Sequence, residues 1–447
     1  MVKHDSFLNR YFKLDELNTN VRTEVVAGLS TYLSLAYILV LNPAILSHTG
    51  MDTSAILFAT AIASGVATLA MGLWAKLPFA VAPGLEMSGF FAFSVCGSLG
   101  MTWQQGLGTV FWSGVLCIIL TLLPVRQKII DSIPAGLKIN IGVSVGVFVA
   151  TIGLFVSKIL SFKNGLPDFS NWGPERLTSH EAIVLYIGFS AAIVLGLKRF
   201  RFLGSILVAI IVAAIACSLL GITVKSPPQL SPAMLGSLFR MDITSVVTDR
   251  RALSVVLIFF IIDFFGGIGK FIGLTAATNL QSNGQVRNIE KGLYVDGAGT
   301  VLGAVTGTSS LIAFVESAVG IAAGGRTGIT AVVCGLLLLV SLVFTPLVAL
   351  VPAEAAAGIT LYVGWLLLPV RHFRDEQTTF GRFDVFVAIM MGAISLVTFG
   401  LDKAMLVGFL AYTIRQVVLP KEKLNYYLLA TTLLLTFSTM MQYMFAR

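Results

Sequence analysis

The residues in this chain best suited to chemistry are four carboxylates and a lysine set in apolar sequence. Asp296 and Glu316 lie within the glycine-rich stretch 294–328. Glu86 follows Ala82-Pro83-Gly84, and Asp263 and Lys270 share one hydrophobic segment. An ionisable group at membrane depth costs roughly 2.5–3.5 kcal/mol even on the gentlest scale, so such groups mark functional sites by default. The surrounding glycines let helices approach closely and let the backbone break. These residue types point to a site for a polar ligand inside a membrane.

The elements that must position them are membrane spans. The chain has 447 residues, 56% hydrophobic and 12% charged, with a mean hydropathy of +0.89. A soluble domain carries about 25% charged residues. The net charge of +8 has no soluble basic domain to carry it toward nucleic acid. It fits an excess of Lys and Arg in cytoplasmic loops. Cys96, Cys117, Cys217 and Cys334 all lie in apolar segments without metal-ligand spacing, so they read as small buried hydrophobes. The N-terminus lacks a signal-peptide pattern, and residues 1–20 read as a cytoplasmic tail or short interfacial helix.

Apolar runs at 25–46, 55–74, 109–123, 139–156, 182–197, 203–220, 253–276, 330–351 and 426–444 are long enough to span or nearly so. Less clean runs occupy 78–99, 294–306, 312–323, 353–370 and 385–418, the last bent or split near Gly400. The total is about fourteen segments. Basic residues recur in alternate loops, at Arg126 and Lys128, at Lys198, Arg199 and Arg201, and at Arg371, Arg374 and Arg382. With Lys3, Arg10, Lys13 and Arg22 ahead of the first span, both termini belong in the cytoplasm.

Two segments read as interrupted helices, residues 77–93 and 309–320. In each, a short extended run precedes a carboxylate and a helical run follows. Pro83 suits a first helical turn. Glu86 and Glu316 then sit near half-helix N-termini, where free N–H groups and the dipole favour negative charge. Paired broken helices in the two halves point to a midplane transport site.

The pattern Asp296, Gly299, Thr300, Gly303, Gly307, Thr308, Ser309, continued by Glu316, Ser317, Gly320, Gly324, Gly325, Arg326, Thr327, Gly328, resembles the AzgA-like branch of the nucleobase–cation/ascorbate transporter family. The resemblance implies purine permeases of an all-α membrane fold, with segments 3 and 10 as strand-plus-half-helix elements in core and gate domains. It implies inverted repeats, placed here at 21–230 and 250–447, and a homodimer in the inner or plasma membrane.

Two places depart from the family pattern. Glu86 and Ser88 stand where the family usually has glycine and asparagine. In segment 8, Asp263 is kept, but Gly266 replaces a second aspartate implicated in purine binding, and Lys270 replaces a threonine. Lys270 lies one turn beyond Gly266 on the same face. A buried ammonium needs a partner, and Glu86 or Glu316 is expected to supply it. The expected substrate-binding set is Glu316, Glu86, Lys270, Ser88, Phe90, Gly266 and Thr308. Asp263 and Asp296 serve proton coupling or structure.

Glu316 would accept ring N–H bonds, Phe90 or Phe91 would stack, and the coupling proton would ride on Glu316 or Glu86. The alternative is another small organic solute, anions included, drawn by Lys270. An enzyme is disfavoured, since no catalytic triad, phosphate loop or metal cluster is legible. No cofactor and no nucleic-acid partner is expected.

Overall fold

The structure, a computed structural model, describes residues 7–122, 134–163, 166–168, 173–196, 205–222, 232–276, 281–282, 285–286, 288–345, 351–368, 381–418 and 425–445. The basic clusters at 126–128, 198–201 and 371–374 lie outside the described residues. The principal helices are α1 (Phe7–Phe12), α2 (Val21–Leu35), α3 (Ile38–Leu46), α4 (Thr53–Ala70), α5 (Leu85–Gly89), α6 (Trp103–Leu122), α7 (Ala135–Val156), α8 (His180–Gly196) and α9 (Ser205–Leu219). They continue as α10 (Arg250–Ala276), α11 (Ile289–Thr306), α12 (Ser317–Ala322), α13 (Gly328–Val340), α14 (Ala353–Leu367), α15 (Arg382–Thr398), α16 (Leu401–Val418) and α17 (Tyr426–Phe445). Helical stretches at Val21–Thr49, Thr53–Ala75, Trp103–Leu122 and Gly136–Val156 are long and apolar enough to cross a membrane. Leucines, valines and phenylalanines cover both the buried and the exposed faces of these helices, as lipid-facing bundles require.

The run 385–418 is split as expected, at Phe399 and Gly400 between α15 and α16. The run 25–46 forms two helices with a tightened turn at Ala36–Tyr37, where Leu39 N–H bonds to the Ala36 carbonyl at 3.1 Å. Pro43 inside α3 contributes no N–H to the ladder.

Two short strands, β1 (Val81–Pro83) and β2 (Leu311–Ala313), meet antiparallel with Val81 opposite Ala313 and Pro83 opposite Leu311. Flanking bonds from Phe314 N–H to Ala80 and from Gly84 N–H to Ser310 extend the ladder. Pro83 therefore ends a strand and does not open a helix as its sequence context suggests; Gly84 is the N-cap and Leu85 the first helical residue. Proline is tolerated at such a strand end because it has no N–H to place.

Open strand edges do not survive in a membrane interior unless every polar group is met. The side chains around this pair meet them. Thr68 Oγ1 donates to the Val81 carbonyl at 3.0 Å and accepts from Val81 N–H at 2.9 Å. Ser317 Oγ accepts from Ala80 N–H at 2.9 Å. Asp296 Oδ1 accepts from Ala313 N–H at 2.8 Å. The Thr300 hydroxyl lies 3.0 Å from the Leu311 carbonyl.

Beyond each strand runs a half-helix, α5 and α12. The first continues through a π-helical stretch, Phe90–Ser98. Small residues set the packing behind the crossing. A Cβ on Gly328 would lie 2.0 Å from the Gly72 carbonyl oxygen. Gly307 ends α11 at φ +101°, a left-handed cap that a side chain would strain.

Candidate functional site

The strand crossing brings the two predicted carboxylates to neighbouring half-helix ends. Glu86 sits in the first turn of α5 and Glu316 is the N-cap of α12. Each is fixed by a partner from another element. Lys270 Nζ, on α10, reaches Glu86 Oε1 at 2.6 Å; the two side chains are 13% and 6% exposed. Tyr37 donates its phenolic hydrogen to Glu316 Oε1 at 2.6 Å. Tyr37 is buried and sits at the tightened turn between α2 and α3, so that turn aims its ring at the crossing.

Of the two partners weighed for Lys270, the geometry selects Glu86. A carboxylate offers about four acceptor sites, so Glu316, with the Tyr37 hydroxyl and its own backbone N–H on it, keeps capacity for a ligand N–H. Gly266, one turn before Lys270, faces space among the described residues: a Cβ there would meet none of them within 4 Å. The aspartate expected at that position would fit, and its absence leaves room beside the ion pair.

Ser88 and Thr308 belong to a closed network centred on Asn42. Asn42 Nδ2 donates to Thr60 Oγ1 at 2.7 Å and to Thr308 Oγ1 at 2.9 Å. Ser88 donates to Asn42 Oδ1 at 2.6 Å and shares a 2.6 Å bond with Ser309. Both amide hydrogens and the carbonyl oxygen of Asn42 are used, which satisfies a buried amide at the junction of four elements. In this state the Ser88 and Thr308 hydroxyls are committed to that network. Phe90 is fully buried and packs edge-to-face on Phe259 with centroids 5.0 Å apart. It forms the wall behind α5 and presents no open face in this state.

The remaining carboxylates are tied to structure. Asp296 holds the β2 edge, and its other oxygen lies against Gly267, where a Cβ would come within 2.8 Å. Asp263 Oδ2 accepts from Ser310 Oγ at 3.0 Å and lies 3.0 Å from the Thr300 hydroxyl. Both carboxylates thereby lock α10 and α11 to the strand crossing. Sequence reasoning missed Tyr37, Asn42 and Thr68. No charge or motif marks them, although Asn42-Pro43 inside an apolar run is a visible irregularity.

Rings close one end of the assembly, at the end of the first span away from the N-terminal tail. Phe93 contacts Phe155 at 4.7 Å, Phe399 at 5.1 Å and His48 at 5.7 Å. Phe148 stacks on Phe399 at 4.6 Å. The cluster joins the continuation of α5 to α7 and to the α15–α16 junction. Gly89 lets the end of α5 press onto Phe148, since a Cβ there would come within 2.9 Å of that side chain.

Comparison with known proteins follows the same lines. Residues 22–371 match the model of a permease family, Xan_ur_permease. The chain is 35% identical to the adenine permease AdeQ of Escherichia coli, over 92% of this chain and 90% of that one. It is 31% identical to the guanine/hypoxanthine permease PbuG of Bacillus subtilis, over 93% of this chain and 95% of that one. Among solved structures, the transmembrane domain of the cyanobacterial bicarbonate transporter BicA superposes with a TM-score of 0.63 at 15% identity, covering 87% of this chain and 96% of that one. That likeness concerns the fold.

Proposed function

Because the chain belongs to the Xan_ur_permease family of nucleobase–cation symporters and is a multi-pass membrane protein, we propose that it is a secondary active transporter of purine nucleobases coupled to protons. The observation that carries this reading is the Tyr37-fixed Glu316 at one half-helix N-terminus beside the Glu86–Lys270 pair at the other. A purine presents ring and amino N–H donors at its edge. Glu316 accepts from such a donor with its remaining carboxylate capacity, and the first-turn N–H groups of α5 receive a ring nitrogen or carbonyl. The space at Gly266 admits the ligand beside Lys270. Lys270 alone would recommend an anionic solute, but Glu86 neutralises it, so the pair favours an uncharged heterocycle.

The coupling proton rides on Glu316, whose side-chain partner is the neutral Tyr37 hydroxyl. Glu86 is already matched by a cation. The chain works as a homodimer in the cell membrane, with both termini cytoplasmic and about fourteen segments in two inverted repeats, 21–230 and 250–447. Uptake of labelled adenine, hypoxanthine, guanine and xanthine by cells expressing the chain tests the reading. At least one should accumulate saturably, and a protonophore should abolish accumulation. Failure of all four to accumulate sinks it, and protonophore-resistant accumulation sinks the coupling.

A further inference from the structure

A cavity of about 260 Å³ lies just beyond the ring cluster, on the side away from Glu316. Its lining includes His48 and Phe155, which also belong to the cluster, and the polar groups of Lys158, Ser161, Arg176 and Glu354. The polar side is braced from within. Lys158 Nζ bridges Glu354 at 3.0 Å and Glu181 at 3.2 Å, and Arg176 Nη1 donates to the Lys158 carbonyl at 3.1 Å. Burial works against the Lys158 charge, but the hydrogen bonds it donates to Glu354 and Glu181 outweigh it and raise its pKa above the ordinary lysine value. The bridge is therefore held through neutral pH.

Several groups still have capacity for a ligand. Among the described residues, the second Glu354 oxygen, the Ser161 hydroxyl and the rest of the Arg176 guanidinium take no other partner. His48 keeps Nδ1 on the Ala44 carbonyl at 2.9 Å, which turns Nε2 outward. The cavity thus combines flat aromatic walls, a carboxylate acceptor and a guanidinium donor, with no net charge of one sign. Its volume lies just below the usual range for ligand pockets, about 300 Å³ upward, which limits it to a small ligand.

We propose that this cavity is a second binding site for the planar nitrogen heterocycle, an antechamber occupied before the ligand passes Phe93 and Phe155 toward Glu316. The proposal rests on the purine reading for the ligand's identity. The ring lies against Phe155 and His48, Glu354 accepts an edge N–H, and Arg176 donates to a ring nitrogen or carbonyl.

The test combines uptake and equilibrium binding of labelled adenine and hypoxanthine on the full chain. Ser161→Trp fills the cavity and keeps every charge; Arg176→Gln and Glu354→Gln each remove a ligand contact together with a bond to Lys158. Each variant should raise the KM for uptake about fivefold or more with an unchanged maximal rate. The Glu316-dependent Kd of purified protein should stay within about twofold of the parent. Unchanged KM in all three variants overturns the antechamber. So does a Kd that rises in step with KM, because the cavity residues then act on the inner site through structure. A parent chain that takes up neither purine defeats the purine reading itself, before any variant is compared.

Discussion

At the scale of single residues, Tyr37 and Lys270 decide how the two site carboxylates behave. A hydrogen bond to a charged group contributes roughly 1.5–3 kcal/mol. Tyr37→Phe should therefore lower uptake about tenfold or more without loss of protein in the membrane, and Glu316→Gln should abolish it. A Tyr37→Phe protein with parental kinetics would remove Tyr37 from the site. The Glu86–Lys270 pair predicts a different signature. Removing one partner strands the other in a low-dielectric interior, at a cost of about 3–5 kcal/mol, whereas removing both is far milder. Lys270→Met alone should melt well below the parent, and Lys270→Met with Glu86→Gln should recover most of the loss. If the double variant melts as low as the sum of the singles, the pair is not coupled.

At the scale of elements, the strand crossing is the unit that needs explaining. Two strands of three residues each have too few ladder bonds to stand alone. They persist because Thr68, Ser317, Asp296 and Thr300 satisfy their edges. Leaving a buried backbone group unmet costs about 1–3 kcal/mol. Thr68→Val keeps the shape and removes both bonds to Val81, so its melting temperature should fall measurably while Thr68→Ser retains most of it. Equal melting of Thr68→Val and the parent would show that the edge finds other partners.

The α10 entrance carries a pH-dependent contact. Hydrogen bonds from the Arg251 guanidinium hold the Asp249 carboxyl below its usual range. A carboxylate lowered on folding contributes above its unfolded pKa of about 3.9 and loses that contribution as pH falls through the folded value. The protection factor in this loop, exchange corrected for its intrinsic base-catalysed rate, should thus be flat through neutral pH and fall only in acid. A fall already near neutrality would contradict the Arg251 bond.

At the scale of the whole molecule, the ring cluster and the strand crossing define a closed end and a site behind it. Phe93, Phe399 and the α7 pair Phe148 and Phe155 come from three regions far apart in sequence, and access from that end requires these regions to separate. Cysteines introduced by Phe93→Cys and Phe155→Cys, joined by a short thiol-specific crosslinker, should stop uptake, and cleavage of the linker should restore it. Undiminished uptake by fully crosslinked protein would mean that this end never opens during transport.

The sequence by itself determined the membrane class, the family and the two broken segments with their carboxylates. Composition, helix-terminus chemistry and glycine spacing are local properties that survive without knowledge of neighbours. The tertiary structure alone decided which groups meet. Lys270 had two candidate partners at equal sequence plausibility, and only the placement of α10 against α5 put Glu86 within 2.6 Å. Ser88 and Thr308 carried the right hydroxyls for a ligand, but the nearness of Asn42 engaged both. Pro83 suited a helix start until Leu311 was found opposite it. Tyr37 was one aromatic among many until a tightened turn directed it to Glu316. Hydrogen bonds and ion pairs act over a few ångströms, so they depend on which distant segments fold together, and no single stretch of sequence records that.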